Sequence, residues 1–232
     1  MEAIAEKSPK LAVCSIHYFI STSGVKTEEV DSFIAKAIAK CCANKETLLL
    51  CACNFCSHIR SAEVKQESQT TLVKRWGPFV RLIPSYLSVL STARKTPSSS
   101  VIMAGGVIAS QADHATLTKD FFPSLSRAVK RNADMGVPCM LAAVRSLKVD
   151  GSSYLSFLID TCMYFFKQGT TEAGNTIQAV LKQLVQHCSD GEAIISFVES
   201  LLKEMDSMRP TPVVKKQVYM GVHAVLQGMN AR

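Results

Sequence analysis

The densest run of chemically capable residues in this chain is CCANKETLLLCACNFCSH, residues 41 to 58, which holds five of the nine cysteines. Cys53 and Cys56 form a CxxC, and His58 follows two residues later. Such a pair ligates zinc when it sits on a tight turn and a second ligand pair lies elsewhere. It cycles between dithiol and disulfide when a neighbouring charge lowers a thiol pKa. The flanks argue against both. LLLCACNFC contains no Gly and no Pro, the chain has no second CxxC and no HxxxH, and Leu49, Cys53 and Cys56 fall on one face at helical spacing. Cysteine packs as a small hydrophobe, so the pattern predicts the inside of a helix, with metal or redox chemistry as the competing readings. Cys14, Cys139, Cys162 and Cys188 also fit apolar helical stripes. An odd cysteine count without a recognisable signal peptide predicts reduced thiols.

Other chemistry is sparse. His17, His58, His114, His187 and His223 are scattered over different helices or breaks, and none sits in a nucleophile, metal or relay motif. Gly105 and Gly106 are not followed by GK[ST], so close helix packing explains them better than a phosphate loop. The sequence therefore predicts a protein that is not an enzyme, with no cofactor and no metal.

Charge is distributed unevenly. Residues 60 to 131 carry eleven Lys or Arg against four acids, and this segment accounts for the whole net charge of +7. Two clusters stand out: Lys74, Arg75 and Arg81 around Trp76, and Arg127, Lys130 and Arg131 at the end of a helical pattern. Cations in a last turn complement the helix dipole by about 0.3 to 1 kcal/mol, which is reason enough for them. Aligned along one edge, they would instead meet an anionic partner such as RNA or an acidic protein surface.

The elements that must position these residues read as helix after helix. Pro9 opens a pattern that runs to Gly24, and Val30, Phe33, Ile34, Ala37, Ile38 and Cys41 continue at helical spacing. Further patterns cover about Glu46 to Ile59 and Leu72 to Trp76. From Pro78 a rhythm of helix pairs begins, with first helices near 78, 119, 153 and 189 and second helices from Val101, Val137, Thr171 and Pro212. Gly136 with Pro138, Gly169, and RPTP at 209 to 212 mark the breaks. Ser189 with Glu192 suggests a capping box. AspGly at 150 and 151 lies between two helical patterns and does not join two strands.

Pairs at this spacing predict an all-α protein, an α-solenoid of HEAT or armadillo type. One solenoid would span 1–232, with irregular leading helices over about 10–76 and about four helix-pair repeats over 78–228. It would be a section of a longer repeat array. Val218, Val222, Val225 and Leu226 would then form the apolar face left open on the last helix. The longest apolar run, YLSFLIDTCMYFF at 154 to 166, is interrupted by Asp160 and is shorter than a bilayer span, so a soluble, cytoplasmic protein is expected.

LVKRWGPFVRLIPSYLSVL at 72 to 90 and TKDFFPSLSRAVKRNADMGVPCMLAAVRSLKVDGSSYL at 118 to 155 resemble the N-terminal region of the general-control translational activator, a HEAT-repeat sensor of stalled and collided ribosomes. AVLKQLVQHCSDGEAI at 179 to 194 and VVKKQVYMGVHAVL at 213 to 226 extend the resemblance. It implies a cytoplasmic scaffold that binds ribosomes and helps to activate the kinase of the initiation factor 2 α subunit. In the family, the segments that bind that kinase and the ATP-binding-cassette partner lie outside the matching region. No binding residue of the family maps onto Lys74, Arg75, Arg81, Arg127, Lys130 or Arg131. A general protein-interaction solenoid, such as a transport or phosphatase-type adaptor, is the alternative.

Overall fold

A computed structural model describes Leu49, residues 77–92, residues 98–168 and residues 171–231. The helical patterns expected before Trp76, the Cys53 and Cys56 pair, and Lys74 and Arg75 lie outside the described residues, apart from Leu49, which is helical and fully buried. The described residues are helices and turns, with no strand among them. They divide between two compact units, one ending at Ala112 and one beginning at Asp113.

In the first unit, α1 (Gly77–Thr92) packs on α2 (Ser99–Gln111). Ile83, Tyr86 and Leu90 are buried along α1 at i, i+3 and i+7. Ser98 caps α2, its hydroxyl accepting from the Val101 amide. Gly105 and Gly106 are buried on α2.

The second unit is a regular stack. Its first helix, α3, opens with a turn at His114–Thr116, passes through a π-helical segment at Leu117–Phe121 and continues as Phe122–Arg131. Next come α4 (Ala133–Arg145), a 3-10 turn at Ser152–Tyr154 leading into α5 (Leu155–Gln168), α6 (Thr171–Gln186), α7 (Gly191–Ser207) and α8 (Pro212–Met229). The helices pack in consecutive pairs, α3 with α4, α5 with α6 and α7 with α8. Across pairs, α5 touches both α3 and α7, and α6 touches both α4 and α8. Two layers result, each taking every second helix. That is the stacking of a helical-repeat solenoid.

Local details correct three expectations. Gly136 and Pro138 do not split two helices. The break is at Asn132, and α4 runs through both residues. A Cβ on Gly136 would lie 2.6 Å from Val129 Cα, so this glycine permits the close crossing of α3 and α4. Pro138 costs one backbone hydrogen bond, offset by the burial of Val137, Cys139 and Met140 around it. The cap of α7 is Asp190, whose carboxylate accepts from the Glu192 and Ala193 amides at 2.8 and 3.2 Å. Ser189 is engaged elsewhere, its amide donating to Asp150 at 2.7 Å. On α8, Val218 and Val225 are fully buried, because Gln217 and Gly228 turn that side toward α6. The open apolar stripe is Tyr219, Val222, Leu226 and Met229.

Candidate functional site

The second basic cluster occupies the last two turns of α3. Leu125, Ala128 and Val129 are buried on the inner side of this helix, which turns Arg127 and Arg131 outward at i and i+4. Arg127 folds along its own helix, Nη2 donating to Ser124 Oγ at 3.0 Å and Nε to the Pro123 carbonyl at 3.4 Å. Lys130 reaches across to α5, where its Nζ lies 3.6 Å from Asp160 Oδ2. Arg131 stands exposed at the helix end. Asp160 thus pairs with Lys130, and Arg127 and Arg131 remain exposed beside it. Arg81 has its backbone in α1, in the other unit.

Beside Asp160, the structure adds Tyr164 and Lys167, two residues that the sequence did not single out. Asp160, Tyr164 and Lys167 recur at i, i+4 and i+7, so they share the outer stripe of α5 that Asp160 joins to Lys130. Tyr164 is 41% exposed. Asp160 and Tyr164 lie inside the apolar run at 154 to 166, where buried Leu158, Cys162, Phe165 and Phe166 dominate the pattern, and Lys167 follows it directly. The signal was the interruption of that run every three to four positions.

Beneath the basic corner, α3 and α5 are held by polar contacts as well as apolar burial. The Ser126 and Thr161 hydroxyls are hydrogen-bonded, and Ser126 also donates to the Phe157 carbonyl at 3.4 Å. Tyr154 is fully buried, stacked on Phe122 with ring centroids 4.5 Å apart, and its hydroxyl meets His114 Nδ1 at 3.1 Å. Burial pushes the Tyr154 phenol up to about 12, so it remains neutral. No reactive arrangement results from this pair.

Asp150 links the turn before α5 to the turn before α7. It accepts from the Ser152 hydroxyl at 2.9 Å, the Ser152 amide at 3.4 Å and the Ser189 amide at 2.7 Å. Ser152 in turn accepts from the Asp190 amide at 3.1 Å, and the Gly151 amide donates to the His187 carbonyl at 2.8 Å. Burial is the largest single influence on the Asp150 carboxyl and pushes its pKa up. The donors from Ser189 and Ser152 together outweigh it, and the net result lies below the usual 3.8.

The cysteines in view are packing residues. Cys139, Cys162 and Cys188 are buried, Cys188 Sγ lies 3.3 Å from the Leu184 carbonyl, and burial pushes the Cys162 thiol far above its ordinary range. Among the described residues no group of three or more His, Cys, Asp or Glu can hold a metal ion. Among the same residues no helix is long and apolar enough to cross a membrane.

Paired helices stacked in two layers, with polar links between successive turns and a basic corner on the surface, define a helical-repeat protein. Residues 80–209, more than half of the chain, match the family described as "Stalled ribosome sensor GCN1 N-terminal". The chain belongs to that family. Searches among curated proteins and among solved structures gave no match.

Proposed function

We propose that this chain is a non-catalytic scaffold of translational control that associates with ribosomes in the cytoplasm. It contributes to activation of the initiation factor 2 α-subunit kinase when ribosomes stall. One α-solenoid spans residues 1–232 and works as a section of a longer repeat array. The kinase and the ATP-binding-cassette partner are engaged through other segments of that array. The family match over residues 80–209 is the observation that carries this reading.

The contact with the ribosome is electrostatic and uses the basic corners: Arg127, Lys130 and Arg131 on α3, with Lys74, Arg75 and Arg81 contributing the other cluster. The outward placement of Arg127 and Arg131 supports this. Co-sedimentation of the chain with ribosomes across a salt series tests it. Pelleting at low salt that is abolished by Arg127→Glu with Arg131→Glu is the expected result. An absence of pelleting at low salt would favour the general protein-interaction solenoid.

A further inference from the structure

The two layers of the second unit differ in how far their middle helices stand out. α5 is flanked by α3 and α7, yet Ser156, Asp160, Tyr164 and Lys167 along its outer side are exposed. α6 is flanked in the same way by α4 and α8, but Gln178, Ala179, Lys182, Gln183 and Gln186 along its outer side are half-buried. Arg145 on α4, and His223 and Gln227 on α8, are exposed to either side of them. The layer of α4, α6 and α8 is therefore concave, with α6 as its floor.

Cations and carboxamides line this face. Arg145 Nε donates to Gln183 Oε1 at 3.1 Å, and Gln183 Nε2 is hydrogen-bonded to Gln186 Oε1. Lys182 Nζ donates to Gln227 Oε1 at 3.4 Å, and Gln227 Nε2 meets His223 Nε2 at 2.9 Å. Amide oxygens thus hold both cations in place without neutralising them, unlike the carboxylate of Asp160 at Lys130. α8 contains no carboxylate, and α6 has none from Asn175 to Gln186. The acid of α4, Asp134, lies three turns before Arg145, roughly 16 Å along the helix. Asp150 and Asp190, in the turns that follow α4 and α6, are committed to Ser152 and Ser189 and to the Glu192 and Ala193 amides.

We infer that this concave face binds an extended, acidic segment of a partner protein, independently of any ribosome contact at α3. Carboxylates of the segment pair with Arg145 and Lys182. The carboxamides around them each carry a donor and an acceptor, the same pair that a peptide group presents, so they suit its main chain. Grooves for single-stranded RNA add aromatic platforms on which bases stack. α4 and α6 contain no Phe, Tyr or Trp, and the one such residue of α8, Tyr219, lies on its other exposed stripe. Helix axes about 10 Å apart put about 20 Å between α4 and α8, which an extended chain of about six residues crosses.

Fluorescence anisotropy of a labelled oligoglutamate peptide with the full chain tests this, with an oligouridylate of equal length in parallel. The peptide should bind with a micromolar Kd at low salt. Arg145→Glu with Lys182→Glu should weaken it at least ~tenfold. Arg127→Glu with Arg131→Glu, the pair that tests the ribosome contact, should leave it unchanged. Gln183→Glu with Gln227→Glu keeps both cations and gives each a carboxylate partner, so it should weaken the peptide by a comparable factor. An absence of peptide binding, or binding that only the α3 reversal removes, overturns the proposal. Peptide binding that Gln183→Glu with Gln227→Glu leaves intact overturns it equally, as does tighter binding of the RNA at the same residues.

Discussion

Asp150 illustrates how much one side chain organises between repeats. Its carboxylate receives three hydrogen bonds from Ser152 and Ser189, and through Ser152 it reaches the Asp190 amide. The turns before α5 and α7 are thereby tied together. Because its folded-state pKa lies below the ordinary 3.8, its contribution is fully present above that value and is lost as pH falls through the folded pKa. Asp150→Ala should lower the melting temperature by a few degrees at neutral pH, since each lost bond is worth about 0.5 to 1.5 kcal/mol and the site is largely exposed. The gap from wild type should close as the pH is taken below 3.8 in thermal melts. An equal gap at neutral and strongly acidic pH would mean that the carboxylate charge plays no part.

Helices in this fold are set as much by what is missing at their crossings as by what fills them. At Gly136 a Cβ would meet Val129 backbone atoms at 2.6 and 2.8 Å, and at Gly228 it would meet the Lys182 carbonyl at 2.6 Å. Backbone atoms cannot swing aside as a side chain can. Gly136→Ala should therefore cost about 1 to 3 kcal/mol in denaturant unfolding, by forcing α3 and α4 apart. Gly191, the first residue of α7, has nothing within 4 Å of such a Cβ. Gly191→Ala should be neutral or stabilise by up to about 1 kcal/mol, because alanine has the better helix propensity. Similar losses at both sites would contradict the crossing geometry.

At the scale of the whole second unit, charge is unevenly placed. The end of α3 is basic through Arg127, Lys130 and Arg131, whereas α7 is acidic. If Arg127 and Arg131 each neutralise one phosphate of ribosomal RNA, reversing both should reduce the log–log salt slope of ribosome affinity by about 2. Lys130 contributes less, being already drawn toward Asp160. A slope that the reversal leaves unchanged would place the ribosome contact on another surface.

What the sequence by itself determined was the all-helical class, the spacing of the helix pairs and the family, because apolar periodicity and repeat corners are local patterns. The RPTP break, the start of α8 at Pro212 and the burial of Cys139, Cys162 and Cys188 were all legible in this way. The tertiary structure alone decided the role of Gly136, which a local pattern takes for a helix break and a facing helix turns into a crossing point. It also decided that Asp190 and not Ser189 caps α7, since the Ser189 amide is committed to a residue 39 positions away. The open face of α8 was half legible: the period identified an apolar helix, but which stripe faced inward depended on where α6 lay. The basic corner had the same limit. Sequence supplied its cations, while the carboxylate of Asp160 that restrains one of them came from a neighbouring repeat.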